Sequence, residues 1–150
     1  MMLVPMTDGH LDQAAALEQV CFTDAWSREL LAQTLALENA YNIAAQEGDL
    51  LLGYASAQYV LDEGYINNIA VRPDCRRQGV ASRLMEALLA WGAERELAFL
   101  TLEVRPSNMA AYGLYRKYGF ETVGVRPNYY THPRENALLM TYYYRKENTP

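Results

Sequence analysis

The sequence predicts a mixed α/β fold, in which antiparallel strands are followed by alternating helices and strands. Three observations lead to this prediction. Three apolar stretches separated by short turns lie within residues 41–71, a long helical pattern of apolar residues covers 79–97, and a strand–helix–strand order follows it. The chain has 150 residues, of which 51% are apolar and 21% are charged. This size and composition predict one folded domain over residues 1–150.

The first elements are a short strand and two helices. Residues 2–6 form an apolar stretch that predicts a strand, and Thr7 or Asp8 is a suitable cap for a helix that runs to about Val20. The partial apolar face of that helix consists of Leu11, Ala14, Ala15 and Leu17. Ser27 is a second candidate cap. The helical spacing that follows it is carried by Leu30, Leu31, Thr34, Leu35 and Glu38.

Three strands are predicted next, over residues 41–46, 50–60 and 64–71. The turn-forming residues Gly48 and Asp49 separate the first two strands, and residues 62–64 separate the second from the third. Connections this short join antiparallel neighbours, so we expect these three strands to form a meander.

The second half of the chain alternates helix and strand. The helix predicted over 79–97 has an apolar face of Val80, Leu84, Leu88 and Trp91, which is widened by Ala81, Met85 and Leu89. A buried strand follows over 98–104. Pro106 ends this strand, Ser107 is the expected cap of a helix that runs to Tyr118, and Gly119 suits the left-handed residue after that helix. The last strands are predicted over 120–125 and 137–144.

Charge and cysteine content exclude several classes of protein. Thirteen basic residues against 18 acidic ones give a net charge of -5, which argues against a general nucleic-acid binder. Cys21 and Cys75 are far apart, and no Cys/His cluster accompanies them, so neither a disulfide scaffold nor a metal site is expected. No apolar run reaches about 18 residues and no basic leader precedes one, so we expect a cytoplasmic protein without a membrane segment.

The turn before the long helix is a candidate phosphate-binding site. A helix N-terminus offers unpaired N–H groups and a partial positive charge. Gly79 and Ala81 are small enough to let a ligand approach the backbone, and Arg76 and Arg77 add positive charge. The pattern therefore suits a cofactor that carries a diphosphate. The alternative is that Gly79 only shapes a turn and that the arginines are solvated. The turn matches neither the dinucleotide fingerprint nor the P-loop.

Three polar residues near the next strand and helix are candidates for chemistry. Alternation along residues 99–105 places Thr101, Glu103 and Arg105 on one face, as expected for the wall of a cleft. The alternative for Glu103 is a surface carboxylate paired with Arg105 or with a neighbouring strand. Asn108 and Tyr115 are seven residues apart on one helix and can face the same cleft. Their alternatives are a helix cap and a core aromatic within a stripe of Tyr112, Tyr115 and Tyr118.

These motifs together resemble one protein family. Arg76-x-x-Gly79-x-Ala81, after an Asn-Ile-Ala-Val strand, is similar to the acetyl-CoA motif of the GNAT acyltransferase superfamily. Residues 102–108 and 118–120 resemble its next motif. The short sequences at 25–27, 126–130 and 135–140 resemble those of its RimI-type branch, the ribosomal-protein-alanine N-acetyltransferases. The resemblance covers nearly the whole chain. The departures from the branch pattern are Ala25 for Pro, Ala81 for Gly and Asn136 for Asp.

The resemblance implies a particular fold. It is a single GNAT-type domain with a central, twisted, mixed and mostly antiparallel sheet of about six to seven strands, flanked by about four helices. The fourth and fifth strands splay apart, so that N–H groups of the strand over 64–71 are exposed to hold a thioester oxygen. Asn67 and Asn68 are a plausible site for a β-bulge in that strand. Residues 126–132 are expected to form a loop over a peptide slot.

The resemblance also implies an activity. An acetyl group passes directly from acetyl-CoA, in a ternary complex, to the N-terminal alanine amine of the eighteenth small-subunit ribosomal protein. Glu103 matches the general base, Tyr115 the general acid, and Asn108 the residue that holds the pantetheine arm of CoA. The remaining CoA-binding positions are Ile69, Ala70 and Val71, through their backbone, and Arg76, Arg77, Gln78, Gly79, Val80, Ala81 and Ser82 at the turn. An α-amine has a pKa of about 7.7–8.0 against about 10.4 for lysine, so a modest base suffices.

Two other functions fit the same fold. One is an acetyltransferase that acts on a small-molecule amine or on a lysine side chain. The other is a non-catalytic regulatory domain that only binds CoA. The acidic balance of the chain disfavours acetylation of an aminoacyl-tRNA. No metal is expected in any of these cases.

Overall fold

The structure is a computed structural model that describes residues 1–144 of the chain. Its strands are β1 (Met2–Pro5), β2 (Ala40–Glu47), β3 (Leu50–Val60), β4 (Glu63–Val71), β5 (Phe99–Val104), β6 (Glu121–Thr131) and β7 (Arg134–Tyr143). Its α-helices are α1 (Leu11–Cys21), α2 (Arg28–Leu35), α3 (Val80–Glu94) and α4 (Met109–Lys117). Short 3₁₀ turns at Asp8–His10 and Pro73–Cys75 precede α1 and α3.

All seven strands form one sheet in the order β1-β2-β3-β4-β5-β7-β6. Every neighbouring pair is antiparallel except β4 and β5, which are parallel. Parallel neighbours need a crossover connection, and α3 supplies it between β4 and β5. The predicted mixed, mostly antiparallel sheet with four flanking helices is confirmed.

Strands β4 and β5 pair over only three positions, which are Glu63 with Phe99, Gly64 with Leu100 and Tyr65 with Thr101. Gly64 allows this close approach, because a Cβ atom there would lie 2.5 Å from Leu100 Cδ2. In the part of the chain that the structure describes, β4 makes no further pairs with β5, so the two strands splay as predicted. A bulge at Asn67, between the pairs of Ser56 with Asn68 and of Ala57 with Ile66, confirms the predicted irregularity.

The sheet is covered on both faces. Helices α1 and α2 pack on one face, where Leu11, Leu17 and Leu31 join a cluster with Tyr54 and Ala70. Helices α3 and α4 pack on the other face, in a larger cluster whose helical members are Val80, Leu84, Met85, Leu88, Trp91 and Tyr115. The apolar face predicted for α3 is therefore the face that is buried. At about 25 cal/mol for each Å² of apolar surface removed from water, these clusters are the main source of stability.

Three predicted helix boundaries are wrong. α3 ends at Glu94 instead of Leu97, because Glu96 takes a positive φ of 57° and Leu97, which is 1% exposed, turns into the core. α2 ends at Leu35, so Glu38 lies outside it. The cap of α4 is Asn108, whose Oδ1 accepts a hydrogen bond from the Ala111 amide at 3.2 Å.

Ser107 precedes the cap of α4 and binds a distant carboxylate. Its amide and its hydroxyl both donate to Glu135 of β7, each at 2.8 Å. Hydrogen bonds to a charged acceptor are stronger than those between neutral groups. This contact also fixes the start of α4 against β7.

The segment 126–132 is a strand continuation and not the predicted loop. β6 runs to Thr131, and its pairing with β7 is irregular between Arg126 and Tyr130. Within this irregular segment Asn128 takes a positive φ of 54°, and its amide donates to Asn136 Oδ1 at 2.9 Å. The side-chain oxygen of Asn136 therefore stabilises the irregular backbone, and the expected aspartate also has such an oxygen.

Candidate active site

A cavity of about 650 Å³ opens where β4 and β5 separate. Five segments line it: the C-terminal part of α1 with the connection to α2, the second half of β4, the end of β5, the start of α4, and the hairpin between β6 and β7. The separation of β4 and β5 opens this space in the sheet, and the five segments form its walls. Its size is in the range of pockets that bind small molecules.

Glu103 lies on β5 and faces this cavity. Its side chain is 5% exposed, and Arg126 Nε donates a hydrogen bond to its Oε2 at 2.8 Å. The Tyr65 hydroxyl donates to its Oε1. The predicted alternation along β5 is confirmed by its burial pattern, in which Leu100, Leu102 and Val104 are buried. Glu103 is covered and does not pair with Arg105, so that alternative is wrong, but residues of other strands do bind it, namely Arg126 of β6 and Tyr65 of β4.

Tyr115 lies on α4 and lines the same cavity. It is 9% exposed, and its ring packs on Phe120 with 5.8 Å between the ring centroids. Burial, and to a smaller extent Tyr130, raises the pKa of Tyr115, so its phenol is protonated at neutral pH. Tyr115 is thus both a core aromatic and a residue of the cavity wall. Tyr118 points elsewhere and donates to Glu86 at 2.8 Å.

Asn108 caps α4 and also lines the cavity. The two interpretations given for it are therefore compatible. The side-chain oxygen serves the helix, and the residue stands at the cavity edge beside Ala111 and Tyr115.

The turn before α3 lies next to this cavity along the chain but does not line it. Gly79 is the N-cap residue of α3, with a positive φ of 82° and no side-chain hydrogen bond to the helix. The first N–H groups of α3, from Val80, Ala81 and Ser82, therefore have no side-chain cap, and Arg76 and Arg77 are exposed beside them. This arrangement suits an anionic group.

The segment of β4 between the cavity and this turn contains the remaining predicted cofactor-binding positions. Ile69 lines the cavity, whereas Ala70 and Val71 are buried in the core on opposite faces of the sheet. Their side chains are unavailable to a ligand, so a cofactor along this edge contacts backbone. Gln78 is held within the turn, where its Nε2 donates to the Asp74 carbonyl at 3.4 Å. A long ligand with a diphosphate at one end and a reactive group at the other fits this sequence of groups.

Sequence reasoning missed Glu18, a fully buried carboxylate at the cavity wall. Its Oε1 accepts from the Trp26 amide at 2.8 Å, and its Oε2 accepts from Asn68 Nδ2 at 3.0 Å and from the Tyr54 hydroxyl. Burial raises the pKa of Glu18. The sequence feature that could have indicated its burial is its position seven residues after Leu11, on the apolar face of α1. Glu18 joins α1 to the α1–α2 connection, β3 and β4.

Sequence reasoning also missed how Arg105 connects the segments at the cavity rim. Its Nη1 donates to the Pro133 carbonyl at 2.8 Å and to Glu135 Oε1 at 3.2 Å. Its Nη2 donates to Thr23 Oγ1 at 3.4 Å, and its guanidinium lies 4.2 Å from the centre of the Tyr130 ring. Arg105 therefore joins the end of β5 to the hairpin and to the α1–α2 connection. No short-range pattern marks such a set of contacts.

Tyr65 was predicted only as part of a strand. It lines the cavity beside Glu103, and burial together with the hydrogen bond to Glu103 raises its pKa. Within residues 1–144, no group of three or more His, Cys, Asp or Glu side chains is arranged to hold a metal ion. None of the helices in this range is long and apolar enough to cross a membrane.

Comparison with known proteins gives consistent results. The sequence profile of the acetyltransferase (GNAT) family matches residues 11–120. A ribosomal protein bS18-alanine N-acetyltransferase of Escherichia coli (strain K12) is 39% identical over 132 residues, which cover 87% of this chain and 88% of that protein. A protein of the same description from Haemophilus ducreyi is 33% identical over 145 residues, with 95% and 99% covered.

A solved structure shows the same fold. The crystal structure of the ribosomal-protein-S18-alanine N-acetyltransferase from Escherichia coli superposes on this chain with a TM-score of 0.86 at 36% identity. The superposition covers 99% of this chain and 98% of that structure.

Proposed function

Because this chain belongs to the acetyltransferase (GNAT) family, we propose that it transfers an acetyl group from acetyl-CoA to the N-terminal alanine amine of a small-subunit ribosomal protein. The eighteenth protein of that subunit is the proposed acceptor, since relatives at 33–39% identity are described as acting on it. Such an acceptor places the enzyme in the cytoplasm, with residues 1–150 as one acetyltransferase domain.

One observation carries the proposal: Glu103 and Tyr115 line one cavity from two different elements. Acyl transfer to an amine needs a base for the nucleophile and an acid for the leaving group. A carboxylate on β5 and a buried phenol on α4 supply these two functions. A domain that only bound CoA would have no need of this pair.

The proposed cofactor contacts follow the edge of β4 and the start of α3. The diphosphate of acetyl-CoA binds the N–H groups of Val80, Ala81 and Ser82, with Gly79 allowing close approach and Arg76, Arg77 and Gln78 beside it. The pantetheine arm lies along the backbone of Ile69, Ala70 and Val71, on the edge of β4 that does not pair with β5, and Asn108 holds it from α4. Bound there, acetyl-CoA supplies the activated acetyl group at the cavity.

The proposed chemistry is direct transfer in a ternary complex. The acceptor ammonium, with a pKa of about 7.7–8.0, loses a proton to Glu103, and the free amine attacks the thioester carbonyl. Unpaired N–H groups of β4 stabilise the oxyanion. Tyr115 gives a proton to the departing thiolate. The second proton of the amine passes to water as the adduct collapses, and water returns a proton to Tyr115. No acyl-enzyme forms: Cys21 lines the cavity, but burial raises its pKa and disfavours the thiolate.

The rim of the cavity suits a flexible, basic acceptor. Tyr129 and Tyr130 provide aromatic surface, and Asp24 and Glu135 provide negative charge next to Arg105. This rim agrees with the net charge of -5 of the whole chain. The phosphates of a nucleic-acid acceptor would meet charge of their own sign and be repelled.

The test compares two matched peptides with acetyl-CoA. One has a free N-terminal alanine followed by the sequence of the ribosomal protein; the other has that terminus blocked and an internal lysine free. CoA release and peptide mass are measured for the wild-type protein and for Glu103→Gln. We expect fast acetylation of the first peptide alone, and loss of that activity in the variant. Reaction of the lysine peptide, or of small amines only, would assign a different acceptor, and cofactor binding without turnover would refute the enzymatic role.

A further inference from the structure

We propose that Tyr65 is a catalytic residue: its hydroxyl takes the proton of the acceptor amine while passing its own proton to Glu103. The proposal rests on the proposed function, because it needs Glu103 as the final proton acceptor. It changes which side chain touches the acceptor. Two features of the cavity, namely the covering of Glu103 and the position of Tyr65, lead to it.

The first feature is that Glu103 is covered from both sides. Only 5% of its side chain is exposed, although it lies at a cavity wall. One carboxylate oxygen accepts from Tyr65 and the other accepts from Arg126 at 2.8 Å. Because so little of the side chain is exposed, an acceptor amine has little direct access to the two carboxylate oxygens. Arg126 acts as a positioning residue that holds the carboxylate against Tyr65.

The second feature is the position of Tyr65 at the point where the strands separate. Tyr65 is the last residue of β4 that pairs with β5, opposite Thr101. Glu103 is two residues beyond Thr101, so its side chain is on the same face of β5. The parallel register therefore brings the two side chains together at the base of the cleft, and both line the cavity. Beyond this pair, β4 has left β5 and the cavity begins.

The step balances without any further reactant. One N–H bond of the acceptor ammonium breaks, and that proton forms a new O–H bond on Tyr65. The original O–H bond of Tyr65 breaks, and its proton binds Glu103 Oε1. The nitrogen keeps the electron pair and attacks the thioester. Tyr65 is unchanged at the end, and the protonated Glu103 returns its proton to water after the product leaves.

The surroundings of Tyr65 require this exchange to be concerted. Burial and the neighbouring Glu103 raise the pKa of Tyr65, so a free tyrosinate does not accumulate. A phenol that donates to a carboxylate still has oxygen lone pairs for a second hydrogen bond. Tyr129 also lies beside the Tyr65 hydroxyl. The remaining acceptor capacity of that hydroxyl is what the cavity offers to an incoming ammonium, whereas only 5% of the Glu103 side chain is exposed.

The experiment uses single-turnover acetylation of the alanine peptide by Tyr65→Phe, in mixtures of H₂O and D₂O. This substitution removes only the hydroxyl. We expect the rate to fall roughly 100-fold, as for loss of a proton-transfer group, with the Kd for acetyl-CoA unchanged. In the wild-type protein two protons move together, so a plot of the rate against the deuterium fraction of the solvent should be curved. In Tyr65→Phe this dependence should become linear.

Tyr54→Phe is the matched control. Tyr54 donates to Glu18 in a second tyrosine–glutamate pair, but it is fully buried and does not line the cavity. We expect Tyr54→Phe to lower the denaturation midpoint and to keep the curved isotope dependence. Loss of curvature in both variants would mean a structural effect and would overturn the proposal.

Glu103→Gln separates this inference from the proposed function. If Glu103→Gln is inactive and Tyr65→Phe keeps the wild-type rate and curve, Tyr65 is not catalytic and Glu103 acts without it. If Glu103→Gln itself keeps the wild-type rate, the proposed base is wrong, and proton transfer through Tyr65 to Glu103 is wrong as well. Retained acetyl-CoA affinity shows in each case that the variant is folded.

Discussion

Replacing the buried Glu18 with alanine is expected to destabilise the protein strongly. The substitution removes the acceptor of three hydrogen bonds, from the Trp26 amide, the Asn68 amide group and the Tyr54 hydroxyl. These donors belong to the α1–α2 connection, β4 and β3. The loss therefore affects packing between α1 and the sheet as well as one local contact.

The size of this destabilisation depends on the surroundings of each donor once the carboxylate has been removed. Trp26 and Asn68 line the cavity, where water can replace the carboxylate, so each lost bond costs about 1 kcal/mol. Tyr54 is 0% exposed, and an unsatisfied buried hydroxyl costs about 1–3 kcal/mol. The sum is about 3–5 kcal/mol. For a domain of this size such a loss lowers the Tm by roughly 10 °C.

The pH dependence has a definite sign. Burial raises the pKa of Glu18 in the folded protein above its value of about 4.3 in the unfolded chain. A carboxyl with a raised folded pKa contributes its full stabilisation below the unfolded pKa and loses part of it as the pH rises through the folded value. Glu18→Gln does not titrate. The stability of the wild-type protein relative to Glu18→Gln should therefore be greatest in acid and decrease as the pH rises.

Equilibrium urea denaturation, monitored by tryptophan fluorescence between pH 4 and pH 8, measures both effects. Glu38→Ala is the control, because Glu38 is an exposed carboxylate and its loss should change stability by less than about 0.5 kcal/mol. A loss below about 1 kcal/mol for Glu18→Ala, at an unchanged denaturant slope, would refute the reasoning. So would a wild-type advantage over Glu18→Gln that grows with pH.

Three further predictions concern the site and the sheet. Tyr115→Phe should slow acetyl transfer roughly 100-fold without changing acetyl-CoA affinity, measured by single turnover and calorimetry; a wild-type rate would leave Tyr115 as a core aromatic only. Replacing Arg76 and Arg77 together by glutamine should weaken acetyl-CoA binding about 10-fold but leave unchanged the binding of a pantetheine thioester that lacks the diphosphate; equal losses for both ligands would contradict the assigned turn. Gly64→Ala should cost about 1–3 kcal/mol in denaturation experiments because its Cβ meets Leu100, whereas Gly113→Ala, in open space on α4, should be neutral or stabilising; equal effects would contradict the steric account.

Short-range patterns were sufficient to predict most of the fold. The apolar spacing of α3 and the alternation of β5 each follow from residues within one element, and both elements lie where predicted. The turn residues before β3 and β4 correctly indicated antiparallel pairing. The placement of Glu103 on a polar strand face also followed from alternation alone.

Contacts between distant residues account for the errors. The amide and hydroxyl of Ser107 bind Glu135 of β7, and Asn108 caps α4; no pattern around residue 107 contains the contact with Glu135. The carboxylate of Glu18 is buried because Tyr54 and Asn68 project towards it from the face of the sheet that α1 covers. These pairings depend on strand register, which a single sequence does not specify where both strand ends are irregular.

The short seam between β4 and β5 has a consequence for the cohesion of the molecule. Three residue pairs join a half-sheet of β1–β4 to a half-sheet of β5–β7, and α3 packs against strands of both halves. Any ligand that contacts the edge of β4 and the start of α4 at once contributes a link between the halves. Its binding free energy then adds to the free energy needed to separate the halves, because separation requires the ligand to leave one of them. The gap in the sheet thus makes the mechanical integrity of the protein depend on its occupant, as a continuous seven-stranded sheet would not.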